Sequence, residues 1–177
     1  MPRVMENLGR LMANDILYKL AARVGKALKT RKLMLVTAES CTGGWVAEAV
    51  TMVPGSSDWF ERGFVTYTYA SKREMLGVKR RTLGKYGAVS EPVVLEMALG
   101  ALKNSHTQMA VSVSGTAGPS GGTRDKPVGT VCFAWTRMNG GMVSATRHFK
   151  GNRQAVRRKS VEHALNGVLV FLARQKK

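Results

Sequence analysis

Apolar residues recur with helical spacing at both ends of the chain. In residues 8–29 and again in residues 152–174 they follow a period near 3.6, so each segment is predicted to be an amphipathic helix. The positions predicted to be buried are Leu11, Ile16, Leu17, Leu20, Val24, Ala27 and Leu28 in the first helix, and Val156, Val161, Ala164, Leu165, Val168 and Leu172 in the second. Lys19, Arg23 and Lys26 fall outside the apolar stripe of the first helix.

Short apolar and β-branched runs between these helices predict five strands. They cover residues 33–37, 63–69, 109–114, 128–135 and 141–149. The Asn139-Gly140 pair between the last two strands is typical of a hairpin turn. Helical segments are predicted at 45–53, 72–76, 80–86 and 93–104, and Ser90, Glu91 and Pro92 form the entry to the last of them.

The alternation of these helices and strands along the chain predicts an α/β protein with a mixed sheet and helices on both faces. The hairpin near the C-terminus must add at least one antiparallel pairing. No internal repeat or low-complexity linker interrupts the sequence. Residues 1–177 are therefore predicted to form a single domain, which includes the basic helix 8–29.

The composition is that of a protein with an ordinary core. Apolar residues make up 44% of the chain, and no apolar run approaches the roughly 20 residues that a membrane span needs. The two cysteines, Cys41 and Cys132, lack metal-ligand spacing and favour a reducing compartment. We therefore expect a cytoplasmic protein with no membrane partner.

The formal net charge of +17 is unevenly distributed. Residues 1–33 carry eight Lys and Arg against two acids, an excess of +6, and residues 147–177 carry nine against one, an excess of +8. Basic surfaces of this kind attract nucleic acid, acidic lipid or anionic small molecules, or are simply solvated. No helix-turn-helix or zinc-finger pattern is present, so a nucleic-acid partner stays open but is not favoured.

Two polar and glycine-rich loops, residues 39–44 and 115–122, each follow a predicted buried strand. If the two strands are parallel neighbours, both loops open at the same edge of the sheet, where α/β proteins bind ligands. Ser40 in the first loop has two readings, as the N-cap of the following helix or as a nucleophile beside free backbone N–H groups. Neither loop matches a nucleoside-triphosphate or dinucleotide fingerprint.

No arrangement of the histidines, at positions 106, 148 and 163, suggests a Ser-His-Asp triad. A lysine can serve as the base for a serine, provided that burial or nearby positive charge keeps it neutral near pH 7. Lys72 is the candidate, because it closely follows a strongly apolar strand that also carries Tyr67 and Tyr69. Its spacing alone favours the other reading, a surface residue at the start of a helix.

Several motifs together resemble the nicotinamide-nucleotide amidohydrolases, the family of the CinA carboxyl-terminal domain. They are Thr-Ala-Glu-Ser-Cys-Thr-Gly-Gly (37–44), Gly-Phe-Val-Thr-Tyr (63–67) with Lys72, Gly-Ala-Val-Ser-Glu-Pro-Val (87–93), Val-Ser-Gly-Thr-Ala-Gly-Pro-Ser-Gly-Gly (113–122), Lys-Pro-Val-Gly-Thr-Val (126–131) and Phe-Lys-Gly-Asn-Arg (149–153). They run in family order from about residue 20 to 172. The resemblance implies a three-layer α/β/α sandwich with a mixed, mostly parallel sheet, in a stand-alone form that assembles as a homodimer.

The resemblance also implies a reaction and the residues that perform it. The reaction is hydrolysis of the carboxamide of nicotinamide mononucleotide to nicotinate mononucleotide and ammonia, within pyridine nucleotide recycling and without a metal or cofactor. Ser40 matches the nucleophile, Lys72 the general base, and Tyr67 a residue that binds substrate or relays a proton. The residues expected to bind the nucleotide are Thr42, Gly43, Gly44, Ser114, Gly115, Gly118 and Arg153, with Arg157 as the second candidate for the site arginine.

The sequence leaves two other functions open. The family includes paralogues without activity, so the chain could be a catalytically silent protein that binds a nucleotide. The basic ends of the chain leave a nucleic-acid-binding or competence-associated protein as a further alternative.

Overall fold

The chain alternates helices and strands around one sheet. The computed structural model describes residues 2–174, with side chains from residue 16 onward. The elements are α1 (Pro2–Thr30), β1 (Leu35–Glu39), α2 (Trp45–Thr51), a short 3-10 helix (Ser56–Asp58), β2 (Phe60–Val65), α3 (Tyr69–Leu76), α4 (Arg80–Tyr86), α5 (Glu91–Lys103), β3 (Met109–Gly115), β4 (Thr130–Arg137), β5 (Met142–His148) and α6 (Arg153–Arg174). Over these residues, no helix is both long enough and apolar enough to cross a membrane.

The five strands form a single mixed sheet in the order β2-β1-β3-β4-β5. Strand β1 pairs in parallel with β2 and with β3, whereas β3, β4 and β5 pair antiparallel. The α/β class, the mixed sheet and the antiparallel hairpin are confirmed. Two of the four pairings are parallel, and both belong to β1.

Buried side chains form one apolar cluster on each face of the sheet, as expected for two covering layers of helices. On one face α1, α2 and α6 contribute, and on the other α3, α4 and α5 do. Alternate residues of β1 divide between them, with Leu35 in the first cluster and Val36 and Ala38 in the second. Helix α6 buries every residue predicted for it.

Helix α1 follows its predicted stripe with one exception. Ile16 is exposed, although Leu17, Leu20, Val24 and Leu28 are buried. Ala27 is partly buried against the same cluster. The prediction for Leu11 lies outside the side chains that the structure describes.

The segment after β2 differs most from the prediction. The strand begins at Phe60 and ends at Val65, so Tyr67 lies in a connecting loop. Thr68 starts α3 early, because its hydroxyl accepts the Ser71 N–H while Ser71 Oγ accepts the Thr68 N–H, which completes a capping box. Three helices separate β2 from β3, at the three helical segments predicted there, and Lys72 lies in the first turn of α3.

Candidate active site

The carboxyl ends of β1, β2 and β3 meet at one edge of the sheet. In β1, Glu39 is in register with Val65 of β2 and Val113 of β3. Just beyond it, the Ser40 N–H donates to Val113 O over 2.9 Å, and the Thr66 N–H donates to Glu39 O over 2.8 Å. The two loops that follow β1 and β3 therefore open together, as the sequence predicted.

Lys72 reaches Ser40 across this edge. Its Nζ lies 2.9 Å from Ser40 Oγ and donates to Thr66 O. The Lys72 side chain has no exposed surface, and Ser40 is 7% exposed. The surface reading of Lys72 is therefore wrong. Burial lowers the pKa of Lys72 from 10.5 to about 8, a shift that the neighbouring Cys41 opposes.

Ser40 does not cap α2. The N-cap residue is Gly44, which has a left-handed backbone conformation. No side chain at this position accepts a hydrogen bond from the helix. The free N–H groups at the start of α2 are instead bound by the buried carboxylate of Glu39, which accepts from the amides of Gly44, Val46 and Ala47 at 2.8–3.0 Å. The cap reading of Ser40 is wrong, and its hydroxyl is directed to Lys72 instead.

Glu39 is the site residue that the sequence reading missed. The carboxylate is 1% exposed and accepts a fourth hydrogen bond, from Thr42 Oγ1 at 2.7 Å. An acidic residue just before a helix is favoured by the helix dipole, and this was the available signal. The neighbouring serine concealed it, because serine is the more usual cap.

Residues 42–44 form the turn between Ser40 and α2. Gly43 and Gly44 have φ angles of 62° and 94°, which favour glycine. The Gly43 N–H donates to Ser40 O, and Gly44 donates to Glu39. Thr42 is buried, and its hydroxyl is used by Glu39. A direct contact of these residues with substrate stays a prediction.

Arg153 connects the loop after β2 to the glycine-rich loop after β3. One guanidinium nitrogen donates to Tyr67 Oη and another to Gly118 O, both over 2.8 Å. Tyr67 is 58% exposed, so the pair lies at the mouth of the site. These contacts bring together three of the predicted residues: Arg153, Tyr67 and Gly118.

Arg157, one helical turn further along α6, contacts a different feature. It donates to Cys41 O over 3.0 Å and to Thr42 O over 2.8 Å. Its guanidinium carbon also lies 5.4 Å from the centroid of the Trp45 ring. The two candidate arginines thus differ, since Arg153 faces Tyr67 whereas Arg157 holds the backbone of the turn after Ser40.

Ser114 and Gly115 are engaged within the fold. The Ser114 hydroxyl is buried and donates to Ala88 O over 2.8 Å. A side chain at Gly115 would collide with Val131, because its Cβ would lie 2.7 Å from a Val131 methyl carbon. Their predicted contacts with substrate are untested, and the hydrogen bond to Ala88 gives Ser114 a structural role as well.

A cavity of about 580 Å³ opens beside the turn. Its lining consists of Gly43, Gly44, Trp45, Glu48, Arg153, Gln154 and Arg157. Ser40 and Lys72 are outside this lining, on the buried side of the turn. Close to them, Thr66 Oγ1 is buried without a hydrogen-bond partner among the described residues. Over the same residues, no group of acidic, cysteine or histidine side chains could hold a metal ion.

Comparison with known families and proteins matches the chain to one family. The family described as the CinA C-terminal domain matches residues 17–172. The chain belongs to this family. Among curated relatives, the nicotinamide-nucleotide amidohydrolase PncC of Escherichia coli strain K12 is 53% identical over 154 residues, which cover 87% of this chain and 93% of that protein. PncC of Pseudomonas putida is 51% identical, over 88% of this chain and 96% of that protein.

Solved structures of similar proteins share the architecture. The competence/damage inducible protein CihA of Agrobacterium tumefaciens is 43% identical with a TM-score of 0.85, over 88% of this chain and 95% of that one. Competence damage-inducible protein A of Klebsiella pneumoniae is 38% identical with a TM-score of 0.87, over 90% and 99%. The α/β fold predicted from the motifs is confirmed by these structures.

Proposed function

We propose that the chain hydrolyses the carboxamide of nicotinamide mononucleotide to nicotinate mononucleotide and ammonia. The observation that carries the proposal is the buried contact between Lys72 Nζ and Ser40 Oγ at 2.9 Å. Amides are poor electrophiles, so their hydrolysis by a serine requires a base that is neutral at working pH. Relatives about half identical over nearly their whole length are named for this activity on nicotinamide nucleotides.

In the acylation step, neutral Lys72 accepts the Ser40 proton while Ser40 Oγ attacks the carboxamide carbon. The lowered pKa of Lys72, about 8, provides a neutral fraction near pH 7, and the donated hydrogen bond to Thr66 O fixes the orientation of the amine. The protonated Lys72 then transfers its proton to the amide nitrogen. The C–N bond breaks, ammonia leaves, and a nicotinoyl ester remains on Ser40.

In the deacylation step, water replaces ammonia. Lys72, again neutral, accepts a proton from the water as its oxygen attacks the ester carbonyl. Collapse of this second intermediate returns the proton to Ser40 Oγ and releases the carboxylate product. One amide and one water are consumed in total, and one carboxylic acid and one ammonia are formed.

The nucleotide portion of the substrate occupies the cavity beside the turn. Arg153 lies at its wall, with its guanidinium already directed to Tyr67 Oη, so both can contact an anionic group at the mouth of the site. Thr42, Gly43, Gly44, Ser114, Gly115 and Gly118 complete the predicted binding residues. The basic excess at the chain ends raises the local concentration of an anionic substrate.

The resemblance to the same family also supports a proposal for the cellular role and assembly of the chain. We propose a single-domain cytoplasmic enzyme of pyridine nucleotide recycling that acts as a homodimer and uses neither metal nor cofactor. The outer edge of β5 supports an assembly role, because Met142 and Val143 are exposed on a strand with only one neighbour. Light scattering of the purified chain at micromolar concentration would give one chain mass if the dimer proposal is wrong.

The proposed activity is tested by ammonia release from nicotinamide mononucleotide by the purified protein. Turnover is expected for the unaltered chain and none for Ser40→Ala. Ammonia release that persists in Ser40→Ala would exclude the serine mechanism. Thermal stabilisation by the nucleotide without any turnover would instead identify a silent paralogue that binds it.

A further inference from the structure

Two side chains of opposite charge hold the turn after Ser40 from different sides. The Glu39 carboxylate takes four hydrogen bonds, from Thr42 Oγ1 and from the amides of Gly44, Val46 and Ala47. The Arg157 guanidinium donates to the carbonyls of Cys41 and Thr42. Within the described residues no ion pair joins the two, so each is used by the backbone of the turn.

The Arg157 contacts determine the direction of the neighbouring amides. In a trans peptide, the C=O of one residue and the N–H of the next point in opposite directions. Because Cys41 O points to Arg157 on α6, the Thr42 N–H points away from α6. The Ser40 hydroxyl contacts Lys72 of α3, whose layer covers the sheet face opposite to α6. The Thr42 N–H is therefore turned toward the face on which the nucleophile acts.

The Glu39 contacts decide which amides can stabilise a developing oxyanion. The amides at the start of α2 are already bound by a buried carboxylate, and the Gly43 N–H donates to Ser40 O. In the described residues, the amides of Cys41 and Thr42 donate to no backbone oxygen. Of the backbone N–H groups near Ser40, the amides of Cys41 and Thr42 are therefore the ones left to bind a developing oxyanion.

We propose that Glu39 and Arg157 are positioning residues, which hold the Cys41 and Thr42 amides in place as the oxyanion donors of the reaction. The inference rests on the proposed amide hydrolysis. Neither side chain touches the reacting atoms. Their substitution should lower kcat while KM changes little, because orientation of an oxyanion donor is felt in the transition state.

The test compares Glu39→Gln and Arg157→Lys with matched controls. Arg157→Lys keeps the charge but loses the planar fork that reaches two carbonyls. Glu96→Gln is the acidic control, since Glu96 accepts from Lys79 N–H and Thr82 Oγ1 at the start of α4, away from Ser40. Arg158→Lys is the basic control, because Arg158 pairs with Glu162 on α6. We expect kcat to fall about 10- to 100-fold in the two test variants and less than about twofold in the controls.

A rise in KM at unchanged kcat in Arg157→Lys would overturn the proposal and make Arg157 a substrate-binding arginine. Losses of kcat equal to those of the controls would overturn it too. Arg157→Ala offers a second measurement, in which millimolar guanidinium should restore part of kcat and ammonium should not. Failure of guanidinium to restore any activity in a variant that melts like the unaltered chain would count against the positioning role.

Chemical labelling of Ser40, which does not require the substrate, tests this inference independently of the proposed function. A small sulfonyl fluoride should label Ser40 of the unaltered chain, and the labelling rate should fall at least about tenfold in Glu39→Gln and Arg157→Lys but not in the controls. If the unaltered chain releases no ammonia but labelling follows this order, the proposed substrate is wrong and the positioning role stands. Equal labelling rates in all five proteins would overturn the positioning role, whatever the substrate.

Discussion

Lys72 Nζ lies 2.9 Å from Ser40 Oγ, although 32 residues separate the two in sequence. The contact depends on the parallel pairing of β1 and β2, which brings the residues after both strands to one edge of the sheet. It also depends on the capping box of Thr68 and Ser71, which starts α3 early enough to place Lys72 in its first turn. Short-range features of the chain thus produce a long-range pair in which the amine is fully buried.

The burial of Lys72 predicts the pH dependence of the reaction. Its pKa of about 8 means that the neutral amine increases tenfold per pH unit below that value and levels off above it. We therefore expect kcat/KM for ammonia release to rise from pH 7 and to level off above about pH 8. A profile that is flat between pH 7 and 9 would exclude Lys72 as the base. Lys72→Arg should be inactive throughout, because its guanidinium stays charged.

The same burial predicts how stability depends on pH. Between about pH 8 and 10.5 the unfolded chain holds a proton on Lys72 that the folded chain has lost, so the contribution of Lys72 to the free energy of unfolding rises with pH in this window. Below pH 8 both states are protonated, and the cost of the buried charge is fully present. A shift of this size corresponds to about 3 kcal/mol.

Comparison with Lys72→Met isolates this contribution. Between pH 7 and 10 the unaltered chain should gain about 2–3 kcal/mol relative to Lys72→Met, measured by urea unfolding at both pH values. Lys103→Met is the control, because Lys103 is exposed on α5 and should give no such difference. Parallel stability curves for the unaltered chain and Lys72→Met would contradict the lowered pKa.

The Arg153–Tyr67 contact predicts where the phosphate of the substrate binds. Arg153→Ala should raise KM for nicotinamide mononucleotide about tenfold or more, since a charged hydrogen bond to phosphate contributes about 1.5–3 kcal/mol. The loss should be much smaller for nicotinamide riboside, which lacks the phosphate. Kinetics with both substrates, with Arg158→Ala as the control, give the comparison. Equal losses for the two substrates would place the phosphate away from Arg153.

The hydrogen bond between Arg153 and Tyr67 can be measured separately. A double-mutant cycle of Tyr67→Phe and Arg153→Ala on kcat/KM should give a coupling of about 0.5–1 kcal/mol, small because Tyr67 is more than half exposed. Additive losses would mean that the two side chains act on the substrate independently. In that case Tyr67 would contribute to kcat/KM through its ring or through a hydrogen bond to a group other than Arg153.

Most of the fold could be predicted because its signals are local. Helix α6 has a regular apolar stripe, β3 is rich in buried apolar residues, and Asn139 with a φ of 57° forms the expected hairpin turn. The start of α3 was missed because its capping box uses Thr68 and Ser71 rather than the more familiar glutamate at the third position. Ile16 was wrongly predicted to be buried, because an apolar stripe defines the edge of the buried helix face only to within about one residue.

The site was only partly predictable for a physical reason. Whether Lys72 is buried depends on packing between α3, α5 and the sheet, and spacing along the chain carries no information about it. Arg153 and Arg157 are one helical turn apart and share a face of α6, so their different partners depend on how the turn after Ser40 is folded. The role of Glu39 depends on the same turn.

The close approach of α5 to α3 predicts that a single methyl group would impair both the fold and the site. Gly100 of α5 packs against the end of α3, where an added Cβ would lie 1.9 Å from Leu76 O. Gly100→Ala must push apart α5 and the helix that carries Lys72. We expect a loss of about 1–3 kcal/mol in the free energy of unfolding and a lower kcat, because the distance from Lys72 to Ser40 would increase.

Gly84→Ala is the matched control for this substitution. Gly84 lies within α4, and a Cβ there would have no atom within 4 Å. Alanine should therefore stabilise the chain by about 0.5–1 kcal/mol through its helix propensity, with kcat unchanged. Urea unfolding and ammonia release for both variants make the comparison. If Gly100→Ala were as stable and as active as Gly84→Ala, the packing of α5 against α3 would not be what holds Lys72 at Ser40.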